Sequence, residues 1–134
     1  FIAFLVLVCG IQLAQPMQLK TLSAEDEALK LCVAGAIDQL SGILGTIVDS
    51  AKWIFDVYQT VNRLIEGRQR CLNMTNDRLR DLCLTTWTAQ VIFETNRIVG
   101  DLRALIRNDP AADEFKQAFL DCFGIPEDQR TFKV

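Results

Sequence analysis

The chain contains no histidine among its 134 residues. That absence removes the imidazole on which serine and cysteine hydrolases rely, and most catalytic zinc sites with it. Proline is almost as scarce, with residues only at 16, 110 and 126. Positions 17–109 are therefore free of helix breakers of that kind, and long helices are permitted there. No glycine-rich phosphate loop is present, because Gly42-Ile43-Leu44-Gly45 lies in an apolar stripe and lacks the lysine such a loop needs. No two cysteines stand close together as structural zinc ligands usually do, so a metal site is not expected. A basic excess is missing too: the net charge is −3, which argues against a nucleic-acid binder. The charges needed for catalysis by paired carboxylates are scattered, with Asp38, Asp49 and Asp56 at least seven positions apart. No enzyme, and no cofactor, is expected.

What is present begins with an apolar stretch. Phe1 to Leu13 carries no charge and is too short to span a bilayer, but matches the apolar core of a signal peptide. Residues 1–14 are expected to be such a signal, incomplete at its N-terminus because the usual Met and basic residues are missing. Gly10 and Ala14 offer cleavage sites. Residues 15–22 would lead into the first helix, 23–124 would form one helical domain, and 125–134 would be a C-terminal tail. The next most apolar run, Leu31 to Val48, is broken by Asp38 and Gln39. No transmembrane segment is expected in the mature chain.

Four cysteines, Cys32, Cys71, Cys83 and Cys122, follow that signal, with Cys9 inside it. An even set downstream of a secretion signal reads as two disulfides in an oxidising compartment.

From Ser23, a candidate N-cap, an apolar heptad runs without a slip. Val33, Leu40, Ile47, Ile54 and Val61 occupy one position, and Ile37, Leu44, Ala51, Tyr58 and Ile65 the other. The unbroken phase predicts one helix over about 24–66, roughly 60 Å long. Ser41, Gly42 and Gly45 fall in its middle and would either kink it, turn it, or admit a close neighbour. A second helix is expected over about 75–107, with Leu84, Trp87, Val91, Ile98, Leu102 and Leu105 on its stripe. A third, over about 110–123, would start at Asp109-Pro110 and end at Gly124. The fold expected is all-α: a long antiparallel hairpin plus a short C-terminal helix, stapled by two disulfides. In that hairpin Cys32 lies near Cys122 and Cys71 near Cys83, which favours nested pairing. Sequential pairing is the alternative, and requires both long helices to fold back, at Gly42–Gly45 and at Gly100.

Asn73-Met74-Thr75 is a glycosylation acceptor in the polar connection, where it suits a surface glycan. Arg63, Arg68, Arg70, Arg78 and Arg80 gather near the same turn, against Glu66, Asp77 and Asp81. Trp53, Phe55, Trp87, Phe93, Phe115 and Phe119 form a candidate apolar binding surface, because a hairpin with one short helix offers little to cover Trp53, Phe55 and Phe93.

The cysteine frame of Cys32, Cys71, Cys83 and Cys122, with the helical run from Leu29 to Ile65, resembles secreted insect proteins of the tsetse EP type. That resemblance, covering about 30–123, implies secretion and no enzymatic activity, and supplies no site residues. The expected function is a secreted, non-enzymatic binding protein that meets a protein partner or a second copy of itself. The alternative is an extracellular carrier of small hydrophobic ligands, and a membrane-active helical protein is the third reading.

Overall fold

The computed structural model describes residues 24–130. The expected signal and leader, Cys9, Ser23 and residues 131–134 lie outside the described residues. Among those described, the chain forms helices α1 (Ala24–Asp38), α2 (Ser41–Leu44), α3 (Ser50–Leu72), α4 (Asp77–Leu105) and α5 (Ala111–Cys122), then a 3-10 turn at Glu127–Gln129, and no strand. The all-α fold with two disulfides is as expected. The single helix over 24–66 is not: the chain turns between Asp38 and Ser50. Through this corner the backbone bonds shorten to three-residue steps, Leu40 to Ile37, Thr46 to Ile43, Ile47 to Leu44 and Ser50 to Ile47. Glycines and the β-branched run Thr46-Ile47-Val48 weaken α-helix here, and i→i+3 turns take its place.

The corner folds α1 back along α3. Asp26 at the start of α1 meets Arg68 and Gln69 near the end of α3. The chain also reverses at 73–76 and at 106–110, so α1, α3, α4 and α5 form an up-down-up-down bundle. α3 packs along α4, α4 along α5, and α5 along α1.

Helix ends follow local chemistry. Asn76 caps α4, its side chain accepting from the Leu79 N–H at 3.0 Å. Asp109 accepts from the Ala111 N–H at 2.9 Å, one turn-residue before α5. Beyond α5, Gly124 adopts φ 71°, the Ile125 N–H reaches Leu120 O and the Gly124 N–H reaches Asp121 O. That is a Schellman motif with its apolar contact, since Leu120 and Ile125 are both buried. Residues 125–130 pack onto α5, with Arg130 donating to Ile125 O, Gln117 and Asp121.

The core is organised by an aromatic column. Trp53, Phe115, Phe119, Phe123 and Trp87 follow one another with ring centroids 5.2, 5.8, 5.0 and 6.1 Å apart. The three phenylalanines lie four residues apart along α5 and its C-cap Phe123, so one face presents all of them. Each aromatic pair adds about 0.5–1.5 kcal/mol beyond the area it buries.

Two bridges hold the bundle. Cys32 joins Cys122 between α1 and α5, with Cα atoms 5.7 Å apart. Cys71 joins Cys83 across the α3–α4 turn, at 5.4 Å. The nested pairing holds even though the first fold-back of the sequential alternative also occurs; Gly100 stays inside α4.

Candidate functional site

Four of the six aromatics expected on a binding surface are buried: Trp53, Trp87, Phe115 and Phe119. The fold-back of α1 and the run of α5 supply the cover that a bare hairpin lacks. Phe55 and Phe93 remain on the surface, 63 % and 50 % exposed.

Both tryptophans are also hydrogen-bonded, and in a reciprocal way. Trp53 Nε1 on α3 donates to Ile98 O on α4 at 2.9 Å, and Trp87 Nε1 on α4 donates to Leu64 O on α3 at 2.8 Å. The pairs are related by 34 positions (53 to 87, 64 to 98). The same offset carries Val57 to Val91, Asn62 to Asn96, Arg63 to Arg97 and Ile65 to Val99. α3 and α4 thus share a short pattern, W-x3-V-x4-N-R followed by two branched residues, arranged about a local pseudo-two-fold axis. The shared pattern is visible in the sequence as two tryptophans each nine residues ahead of Asn-Arg, and the stripe reading missed it.

Two polar clusters tie the helices. Asp26, 2 % exposed, accepts from Arg68 at 2.8 Å and from Gln69 at 2.7 Å. The Arg68 guanidinium also sits 5.9 Å from the Trp87 ring centroid. At mid-hairpin, Arg97 donates to Asp56 at 2.9 and 3.3 Å, to Thr60 at 2.9 Å and to Glu94 at 2.9 Å. Hydrogen bonding to Asp56 holds the Arg97 pKa above its ordinary value against partial burial, with Glu94 adding to it. Arg63, its counterpart on α3, reaches Glu94 at 3.7 Å and Thr60 at 3.3 Å. The first cluster ties α1 to α3 and the second ties α3 to α4, so both read as structural. Among the described residues, no three His, Cys, Asp or Glu side chains gather as metal ligands, and no helix is long and apolar enough to cross a membrane.

The outward side of the hairpin, away from the aromatic column, is where the two helices part. On α3 it carries Lys52, Asp56, Gln59, Arg63, Glu66 and Arg70, at alternating steps of four and three. On α4 an outward stripe starts with Leu79, Leu82, Thr86 and Ala89, and continues through Phe93 and Asn96 to Gly100; it shares Thr86, Phe93 and Gly100 with the positions equivalent to the α3 stripe, while the counterpart of Arg63 is Arg97 beside it. It steps three and four throughout and holds no charge. Leu79 is 55 % exposed and Leu82 62 %. A Cβ added at Gly100 meets nothing within 4 Å. Beside the stripe runs an open groove of about 470 Å³ between the helices, lined by Gly67, Cys71, Leu82, Cys83, Thr86 and Trp87 among others. A Cβ on Gly67 would lie 3.3 Å from the Trp87 ring, so glycine lets the helices close at the groove floor. A second open groove, about 560 Å³, lies between α4 and the 3-10 turn, against Leu84, Ile92, Asp128 and Gln129.

Asn73 and Thr75 are exposed in the turn that the Cys71–Cys83 bridge closes. No family model, no curated protein and no solved structure matches the chain.

Proposed function

We propose that this chain is a secreted, disulfide-stapled helical bundle that works by binding a partner rather than by catalysis, and that the partner meets the outward side of the α3–α4 hairpin. The observation that carries this reading is the uncharged stripe on α4, which leaves three large apolar side chains in water on a helix whose other face already fills the core. A helix apolar on two faces is one that is covered on both when at work. The exposed sequon at Asn73 and two disulfides suit an extracellular chain, as does the resemblance to the tsetse EP proteins.

The test is native mass spectrometry of secreted material, wild type beside Leu82→Arg. The expected result is a complex in the wild type that the variant loses, with a mass decrement on glycosidase treatment that Asn73→Gln abolishes. Wild-type protein carrying no partner would refute the reading.

The groove beside Leu84 and Ile92 favours a second reading, a carrier of small hydrophobic ligands. Copurifying lipid, and a fluorescent fatty acid displaced by it, would support that reading instead.

A further inference from the structure

We propose that the outward stripe of α4 is covered by a second copy of this chain, the two α4 helices running antiparallel about a two-fold axis beside Ala89. This rests on the binding reading above and names its partner.

The argument is self-complementarity. When α4 is laid antiparallel on itself about Ala89, Phe93 of one copy meets Thr86 of the other, and Leu79 meets Gly100. Leu82 meets Asn96, and Ala89 meets Ala89. Large side chains thus fall on small ones, and the smallest pair sits at the axis where the helices come closest. Gly100 has open space above its Cα for the leucine. Thr86 and Leu82 line the inter-helix groove of about 470 Å³, so the incoming Phe93 ring has a recess beside its partner. A parallel pairing sets Phe93 against Phe93 and Gly100 against Gly100, which crowds one layer and empties another.

Charge points the same way. No residue of the stripe is charged, so α4 pairs with itself without stranding an ion. The stripe is about 32 Å long, and a helix pair of that length with its flanking groove buries roughly 1,200 Å² in total. That is the low end of specific interfaces. Asn96, the one amide in the stripe, would fix the register as a polar residue does in coiled coils.

Sedimentation velocity on the oxidised protein from about 1 to 200 µM tests this. The expected result is a shift from monomer to dimer. Ala89→Arg and Phe93→Arg should each raise the dissociation constant at least about tenfold. Phe55→Arg, at a more exposed phenylalanine on α3, should leave it unchanged. Each variant's thermal midpoint, held at the wild-type value, shows that the bundle is intact. For orientation, Ala89→Cys should cross-link to itself on mild oxidation, and Gly100→Cys should not. A monomer at the highest concentration overturns the proposal, as do a dimer indifferent to both arginines and self-cross-linking at position 100. If the chain stays monomeric yet still loses a different partner on Leu82→Arg, the binding reading stands and self-association falls. A monomer that instead adsorbs to anionic phospholipid vesicles through the same residues overturns self-association in favour of a membrane surface.

Discussion

The two long helices, α3 and α4, share a pattern and differ in what they turn to water. Both insert a tryptophan into the other's backbone, both follow it with a buried valine, and both present an arginine to the centre of the hairpin. Their outward residues then diverge at equivalent positions: Lys52 against Thr86, Gln59 against Phe93, Glu66 against Gly100. The inward half of the pattern is what the hairpin needs to form. Charge is compatible with the outward half on α3, so folding alone does not require that α4 be apolar there. The difference separates the part of each helix that folds the protein from the part of α4 left over for contact.

The strongest way to break the comparison is to remove the shared anchors. Trp53→Ala and Trp87→Ala should each destabilise the bundle by about 3–5 kcal/mol, since each deletes a buried aromatic and the hydrogen bond it donates to the facing helix. Urea unfolding checks this; a difference between the two of more than about 2 kcal/mol would show that the helices are equivalent in sequence only. The arginines come next. Arg97→Ala should cost about 1 kcal/mol, because four hydrogen bonds are lost from a group only partly sheltered from solvent. Arg63→Ala should cost less than about half of that, its contacts being longer and its side chain more exposed. An equal loss at the two sites would mean that the cluster is shared rather than centred on Arg97.

Smaller still should be the effect of exchanging the outward residues. Gln59→Phe and Phe93→Gln should each change stability by no more than about 0.5 kcal/mol. The thermal midpoint reports it, and a large loss at 93 would show that the α4 stripe serves folding after all. The least effect is expected from pH. Arg97 has a raised pKa, and a cation of that kind gives stability that is complete below its unfolded value and lost only above it. With no histidine in the chain, the midpoint should move by less than about 3 °C between pH 6 and 8. A larger drift measured by calorimetry would point to a titrating group outside this account.

Much of the fold was legible in the sequence, because apolar periodicity and absent prolines specify helices and the cysteine positions specify which ends meet. The corner at 39–49 was not. Leu40, Leu44 and Ile47 keep heptad phase through it, so the pattern hides the turn that the glycines and β-branched residues create. That one miss propagated. Without α1 folded back along α3, Trp53 looks as uncovered as Phe55 and Phe93, and a buried aromatic is taken for a surface. Phe93 is exposed as the pattern suggests, while Leu79 and Leu82 escaped notice, because the reading sought one stripe per helix and α4 has two. The turn carrying Asn73 was found from its polarity alone.

The nesting of the two bridges has a topological consequence. Cys32 and Cys122 close a covalent ring around most of the bundle, and Cys71 and Cys83 close a smaller ring inside it. A single backbone cut anywhere between Cys32 and Cys122 opens a ring but releases no piece. A protease that nicks the exposed turn at Asn73 would leave both long helices joined, with every core contact in place. Such a molecule stays in one piece and keeps its shape through a cleavage that would halve an unbridged hairpin, gaining only the mass of one water, and its fragments separate only on reduction.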